Sequence, residues 1–342
     1  MKRIVDTWYG GKPLRWLKPF SLLFGGLSSI RRNLYASGRR KVYRASVPLI
    51  VVGNITVGGT GKTPLIVYLA RQLMDAGYRP GIVSRGYGSK APQYPFHVLA
   101  DSPVSQSGDE ALLIARNTQC PVVIDADRVE AVKSLEQHYD CNVILSDDGM
   151  QHYAMARDIE IAVIDSLRRF GNGQLIPAGP LREKPQRLEQ VDFIICNGDC
   201  DLEFDIPTYT MRLEPRQLCH IQSGEKYPIA GIQSELAKSR EDDSNKPRHK
   251  VHAIAGIGNP ERFFSSLCDC GFDIITHIFS DHHVYTADDI RFNDDYEVVM
   301  TEKDAVKCTD FARKSDWYLS VDAVIDEDFF ANLLAKLKSF SI

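Results

Sequence analysis

Short apolar runs, most of them closed by Asp, Asn or Ser, recur along the first two thirds of this chain: Leu49–Val52, Gly81–Ser84, Val122–Asp125, Val143–Asp147, Ile159–Asp165 and Phe193–Asn197. Between them the hydrophobic spacing shifts toward the three- and four-residue steps of a helix, as over Ala111–Ala115. Continuous apolar strands alternating with helical segments predict an α/β fold with a parallel sheet covered by helices, whose ligands lie beyond the carboxyl ends of the strands. A second set of strands is expected at Val251–Gly256, Ile274–Phe279, Glu297–Thr301 and Tyr318–Val321, with a closing helix over Asp328–Phe340. The polar stretch Lys238–Lys250 separates the two sets and reads as part of a linker. The expected organisation is an arm over 1–46, a core over 47–200, a linker region over 201–250 and a smaller C-terminal α/β domain over 251–342.

The arm has its own pattern. Trp16, Phe20, Leu23, Leu27, Ile30 and Leu34 fall on one face of a helix, and the uncharged run Pro19–Ile30 is too short to cross a hydrocarbon core of about 30 Å. Charge sharpens this picture. Residues 1–46 hold eleven Lys and Arg against the single acid Asp6, while the rest of the 342-residue chain carries 30 basic and 44 acidic side chains. The net charge of −4 therefore conceals a basic arm on an acidic body. With Trp8, Tyr9 and Trp16 suited to a headgroup layer, the arm is expected to lie on an anionic membrane surface. The competing expectation is a helix that packs its apolar face into the core. A nucleic-acid partner is not expected, because no reading module accompanies the basic residues.

Eight cysteines are scattered without a paired ligand framework. Cys196 and Cys200, and Cys268 and Cys270, find no matching second pair, so free thiols in a reducing compartment are expected rather than zinc.

The densest chemistry follows the run Pro48–Val52. Thr56-Val57-Gly58-Gly59-Thr60-Gly61-Lys62-Thr63 has the make-up of a phosphate-binding loop at a strand-to-helix junction. Glycines let backbone N–H groups wrap a phosphate chain, Lys62 would reach the β/γ-phosphates and the Thr63 hydroxyl would ligate Mg²⁺. Thr56 stands where the strict pattern has its first glycine, so this is a variant loop. It makes the core a P-loop NTPase-type sheet, with ATP and Mg²⁺ as the expected ligands.

Other segments assemble around it. Asn142–Gly149 is a strand ending in Asp147 and Asp148, placed to hold Mg²⁺. Gln151 and His152 follow directly, and either reach a polar substrate or satisfy a turn. Asp109 and Glu110 open a helix, where they serve as dipole-stabilised acids or where one serves as a base paired with a histidine. Asp281-His282-His283 in the second domain offers the partner, which would put the chemistry between domains. Arg182 and Glu183 leave a Gly/Pro-rich loop, and the guanidinium there suits a phosphate.

Taken in order, Gly53–Pro64, Ser84-Arg85-Gly86-Tyr87-Gly88, Gly108-Asp109-Glu110, Asp147–His152, Pro177–Glu183, Asp281-His282-His283 and Thr301-Glu302-Lys303-Asp304 resemble one family, the tetraacyldisaccharide 4'-kinases. The resemblance spans nearly the whole chain. It implies ATP-dependent phosphorylation of the 4'-hydroxyl of an acylated glucosamine disaccharide 1-phosphate, at the cytoplasmic face of a bacterial inner membrane. It implies Asp109 as general base with His282 in support, and Glu110, Asp147 or Asp148 beside Thr63 at the metal. Gln151, His152, Arg182 and Glu183 would then face the disaccharide and Arg128 its phosphate, with Thr301, Glu302, Lys303 and Asp304 near the nucleotide base. No obligate protein partner is implied. The alternative is a membrane-associated ATPase or GTPase switch, or a metal-insertion ATPase acting on a protein; the His- or Cys-rich tract of a metallochaperone is missing from the sequence.

Overall fold

The structure is a computed structural model that describes residues 7–10, 14–229 and 249–340. Lys2, Arg3 and Lys12 of the arm, and most of the polar stretch Lys238–Lys250, lie outside the described residues.

Among the described residues, one mixed sheet of thirteen strands runs through both halves of the chain. Its first lobe is built on β1 (Leu49–Gly53), β2 (Pro80–Ser84), β3 (Phe96–Val98), β4 (Val122–Ile124), β5 (Val143–Asp147), β6 (Ile159–Asp165) and β7 (Phe193–Asn197). Strands β1, β2, β5, β6 and β7 are buried at every residue, which is why their sequences are apolar without alternation. The helices α1 (Lys18–Ala36), α2 (Lys62–Asp75), α3 (Asp109–Thr118) and α4 (Arg128–His138) belong to this half of the chain.

The second lobe carries β10 (Lys250–Ala255), β11 (Asp273–Ile278) and β12 (Glu297–Thr301), all parallel, with α5 (Pro260–Asp269) and α6 (Glu302–Cys308). Two long strands join the lobes. β8 (Thr208–His220) pairs in parallel with β7 at one end and antiparallel with β13 (Asp316–Ile325) along its length; the short β9 (Lys226–Pro228) hangs on its far end. The sheet order is β11-β10-β12-β13-β8-β7-β6-β1-β5-β2-β4-β3. Residues 208–220, inside the expected linker, are therefore the ribbon that connects the lobes. The closing helix α7 (Glu327–Lys338) lies within the expected C-terminal domain but packs on the first lobe. Its stripe Phe329, Leu333 and Leu337 is fully buried there, with Phe329 edge-on to Phe193 at 5.8 Å.

Helix α1 reverses the usual arrangement. Its buried contact is made by small residues: Ser21 Oγ donates to Leu175 O at 2.8 Å, and a Cβ on Gly25 would come within 2.6 Å of Leu175 Cδ1. The apolar stripe faces out instead, with Trp16, Phe20, Leu23, Leu27 and Ile30 each 56–64% exposed. The core-packing expectation for this helix is thereby overturned, because the close approach to the 171–182 loop leaves its large side chains on the other face. Among the described residues no helix is long and apolar enough to cross a membrane.

Candidate active site

The phosphate loop leaves β1 and enters α2 through Gly58 and Gly61, whose φ values of 108° and 98° suit glycine. Side chains hold its shape from within. Asn54 Nδ2 donates to Thr60 Oγ1 at 3.2 Å, while its Oδ1 accepts from Lys62 Nζ at 3.2 Å. The 171–182 loop forms the outer wall: Val57 N donates to Pro180 O, Arg182 N donates to Ile55 O, and Thr56 bridges Leu181. Thr56, the missing glycine, is thus buried in a strand-like contact that tolerates a side chain. From the second lobe Gly258 closes over the loop. A Cβ there would lie 2.6 Å from Gly59 N, so the two backbones touch only because Gly258 is bare.

Below Lys62 sit the carboxylates at the end of β5. Asp148 bonds Arg182 Nη1 at 2.8 Å and Lys62 Nζ at 3.4 Å. Burial alone would raise its pKa, but Lys62 and Arg182 hold it far below the usual range. Asp147 goes the other way. Burial, then Glu110 and Asp148, push its carboxyl up to about 7, and its Oδ1 is buried with no hydrogen-bond partner. Ser84 Oγ donates to the other oxygen at 3.1 Å. An orphaned, charge-starved carboxylate oxygen beside a phosphate loop fits a divalent cation. Among the described residues no three His, Cys, Asp or Glu groups converge on one point, so the protein would supply few of the ligands, as is usual for Mg²⁺ shared with phosphates.

Asp109 and His282 meet across the lobes. Asp109 Oδ2 lies 3.0 Å from His282 Nδ1, and Oδ1 accepts from Glu110 N at 2.9 Å. Burial would raise the Asp109 pKa, but the His282 hydrogen bond and Lys303 lower it below normal; the same bond raises His282 against its own burial. The pair is therefore a carboxylate held by an imidazole N–H. Tyr87 packs on the imidazole with centroids 4.5 Å apart. Lys303 completes the crossing, bonding Glu110 Oε1 at 2.9 Å and Asp281 Oδ1 at 3.3 Å. Burial would lower its pKa, yet these acids hold it above the ordinary lysine value.

His282, Lys303, Lys62 and the carboxylates at the end of β5 line one open cleft of about 1690 Å³, which also takes in Phe24, Leu27 and Arg31 of α1, while Asp109 is buried directly behind His282. Lys62, Thr63, Glu110, Asp147, Asp148, Gln151, His152, Arg182, His282, Thr301, Glu302 and Lys303 all face it. Burial, with Arg128, Arg85 and Arg31 adding, drives the His152 pKa down to about 4, leaving a neutral ring.

Besides the buried Asp109, three more expected site residues are set back from the cleft. Arg128 is 1% exposed, its guanidinium bonded to the carbonyls of Asp125 and Asp147, and burial lowers its pKa to about 10; it braces the end of β5 from behind. Glu183 is buried too, accepting from Gln151 Nε2 at 2.8 Å and from Tyr153. Asp304 sits in the first turn of α6, whose N-cap is Thr301, and accepts from Thr301 Oγ1 at 2.7 Å, Gly256 N at 2.8 Å and Lys307 Nζ at 2.8 Å. Glu183 and Asp304 are charges taken up by polar neighbours, while Arg128 keeps its Nε unpartnered behind β5. Conversely, Asn54, Asn197 and Gly258 shape the loop without having been expected to. Their signal was position alone, since each follows or closes a strand that ends at the crevice.

Comparison with known proteins agrees along the whole chain. The family model for LpxK, described as tetraacyldisaccharide-1-P 4'-kinase, matches residues 13–338. The tetraacyldisaccharide 4'-kinase of Aeromonas salmonicida is 46% identical over 343 residues, covering 99% of this chain and 98% of its own length. That of Pseudomonas aeruginosa strain LESB58 is 43% identical over 338 residues, covering 98% of this chain and 97% of its own. A crystal structure of the "apo" form of LpxK from Aquifex aeolicus in complex with ATP is similar with a TM-score of 0.76 at 26% identity, over 94% of this chain and 98% of that chain.

Proposed function

The chain belongs to the tetraacyldisaccharide 4'-kinase family, ATP-dependent kinases of lipid A biosynthesis, and from that premise we propose how its cleft performs the transfer. The γ-phosphoryl group of ATP passes to the 4'-hydroxyl of an acylated glucosamine disaccharide 1-phosphate. The observation that carries this reading is the Asp109–His282 contact at 3.0 Å, a buried carboxylate held by an imidazole that lines the same cleft as the phosphate loop.

Phosphoryl transfer asks little covalent work of a protein, so positioning and charge dominate. Backbone N–H groups from Gly58 to Lys62 cradle the phosphates, and Lys62 turns from Asp148 to the β/γ-oxygens. Asp109 accepts the hydroxyl proton as the sugar oxygen bonds to the γ-phosphorus and the bond to the β-phosphate oxygen breaks, leaving ADP. His282 holds the carboxylate in line through Nδ1–H, and Lys303 keeps the lobes closed over Glu110. Thr63, Asp147, Asp148 and Glu110 are the groups suited to Mg²⁺, which would neutralise phosphate charge. Gln151, His152 and Arg182 face the acceptor.

The switch and metal-insertion alternatives lose their ground with the family membership. Transfer of labelled γ-phosphate to acylated disaccharide 1-phosphate in detergent tests the proposal, and well-folded protein that transfers nothing sinks it.

The outward stripe of α1 supports a peripheral position at the cytoplasmic face of the inner membrane, where ATP is at hand. Changing Phe20 and Leu23 together to Ser should weaken sedimentation with vesicles rich in anionic lipid by at least tenfold, given roughly 1.5–3 kcal/mol for each large apolar side chain buried. Thermal stability should hold, because both residues are exposed. Added salt should weaken binding of both proteins through the basic residues. Unchanged partitioning of the variant would remove α1 from the membrane.

A further inference from the structure

The pattern of the arm suits Trp8 and Tyr9 to a lipid headgroup layer, but the fold packs both against the wall of the phosphate loop. Trp8 is only 8% exposed, and its Nε1 donates to Pro177 O at 3.2 Å. Asn172 N donates to Trp8 O at 2.8 Å, past a Gly171 whose Cβ would lie 2.6 Å from that oxygen. The segment is thereby laid along the 171–182 loop, and Tyr9 reaches beyond it. Its hydroxyl donates to Val57 O at 3.3 Å.

Val57 leads into the glycines of the phosphate loop, and its backbone is held on both sides. Its N–H goes to Pro180 O at 2.8 Å and its carbonyl to Tyr9. That carbonyl shares a peptide unit with Gly58 N–H. The unit is planar and trans, so tying the carbonyl back to Tyr9 turns the Gly58 N–H away from the N-terminal segment, on a residue that lines the cleft.

The same ring holds a charge. Arg168 Cζ sits 5.0 Å from the Tyr9 centroid, and a Cβ on Gly58 would lie 3.7 Å from Arg168 Nη1. Asp165, the acid three places before Arg168, gives its Oδ1 to the backbone N–H groups of Leu167 and Arg168, which leaves the guanidinium to the ring. Burial raises the Tyr9 pKa and Arg168 offsets part of that rise, so the phenol stays protonated and able to donate.

We infer that Tyr9 is a positioning residue for phosphate binding: its hydroxyl orients the Val57–Gly58 peptide and its ring holds Arg168 beside Gly58. The N-terminal arm is then a working part of the phosphate loop, apart from any contact α1 makes with lipid. The inference deepens the ATP reading of the cleft and rests on it.

The test compares dissociation constants for ATP and AMP, by calorimetry, on the full chain. AMP lacks the β- and γ-phosphates that the loop wraps, so it reports general damage to the cleft. Tyr9→Phe should bind ATP about fivefold more weakly, the scale of one lost hydrogen bond, and Tyr9→Ala about 30-fold more weakly once Arg168 is released as well. AMP affinity should stay native in both, as should the unfolding temperature and the sedimentation of Tyr9→Phe with anionic vesicles. Equal losses for ATP and AMP would make Tyr9 a packing residue and overturn the inference. So would native ATP affinity in Tyr9→Ala, and weakened sedimentation with ATP binding intact would return Tyr9 to the headgroup layer. Arg168→Gln should weaken ATP about fivefold by itself and add nothing in the Tyr9→Ala background. A full further loss there would separate Arg168 from the ring and overturn the pairing. Because binding is read apart from turnover, missing phosphate transfer with these losses intact would fault the transfer reading alone.

Discussion

Asp109→Asn should lower kcat by about 10²- to 10⁴-fold, the range of a lost general base, while the dissociation constant for ATP changes little. The substitution keeps shape and burial but removes the charge that, as proposed, accepts the hydroxyl proton. Asp109 suits that task in this structure because His282 and Lys303 hold its carboxylate ionised in spite of burial. A base this acidic is a weak one, so its contribution comes from placement at the sugar oxygen and from the compensating imidazole behind it. His282→Ala should therefore cost less than Asp109→Asn, since it loosens the carboxylate without abolishing it. Single-turnover phosphate transfer with preloaded ATP, alongside calorimetric ATP binding, separates chemistry from nucleotide affinity. A near-native single-turnover rate in Asp109→Asn would take the base role away from it.

The partnership behind that prediction was legible only in halves. Apolar runs placed β1, β5, β6 and β7, and with them the carboxylates that close β5 and β6, because burial on both faces writes a continuous apolar signal into the sequence. Asp109 and His282 are separated by 173 positions, and Lys303 and Glu110 by 193. No local period reports such a contact, so the pairing of Asp109 with His282 came from the chemistry a base requires and from the family resemblance. The connecting ribbon escaped for the opposite reason. β8 has charged and exposed positions through most of its length, and a half-solvated strand reads like a linker. Arg128 and Glu183 escaped in a third way. A charge beside a motif suggests substrate, but the carbonyls around Arg128 and the Gln151–Tyr153 pair around Glu183 take up those charges inside the fold. The arm's stripe was visible as a pattern, yet which way it faced depended on Ser21 and Gly25 meeting Leu175.

Lys62→Ala should be comparably damaging, with kcat/KM down by about 10³-fold, the scale of a lost charge clamp on a transferring phosphoryl group. Lys62 Nζ is now shared between Asn54 Oδ1 at 3.2 Å and Asp148 at 3.4 Å, so nucleotide must draw it from a carboxylate that Arg182 continues to hold. The present contacts hold the ammonium in place, and drawing it to the phosphates would leave Asp148 with Arg182 and available as one of the groups suited to Mg²⁺. Removing Lys62 would break both functions at once: the phosphates would lose their point charge, and Asp148 would lose its ion pair with Lys62 while keeping the one with Arg182. The loop itself should survive, because Asn54 still bonds Thr60 and Gly258 still closes over Gly59. Lys62→Ala is accordingly expected to unfold at nearly the native temperature while losing turnover even at saturating ATP. Restoration of full kcat by raised ATP alone would mean that Lys62 only gathers the nucleotide and contributes nothing as charge moves in the transition state.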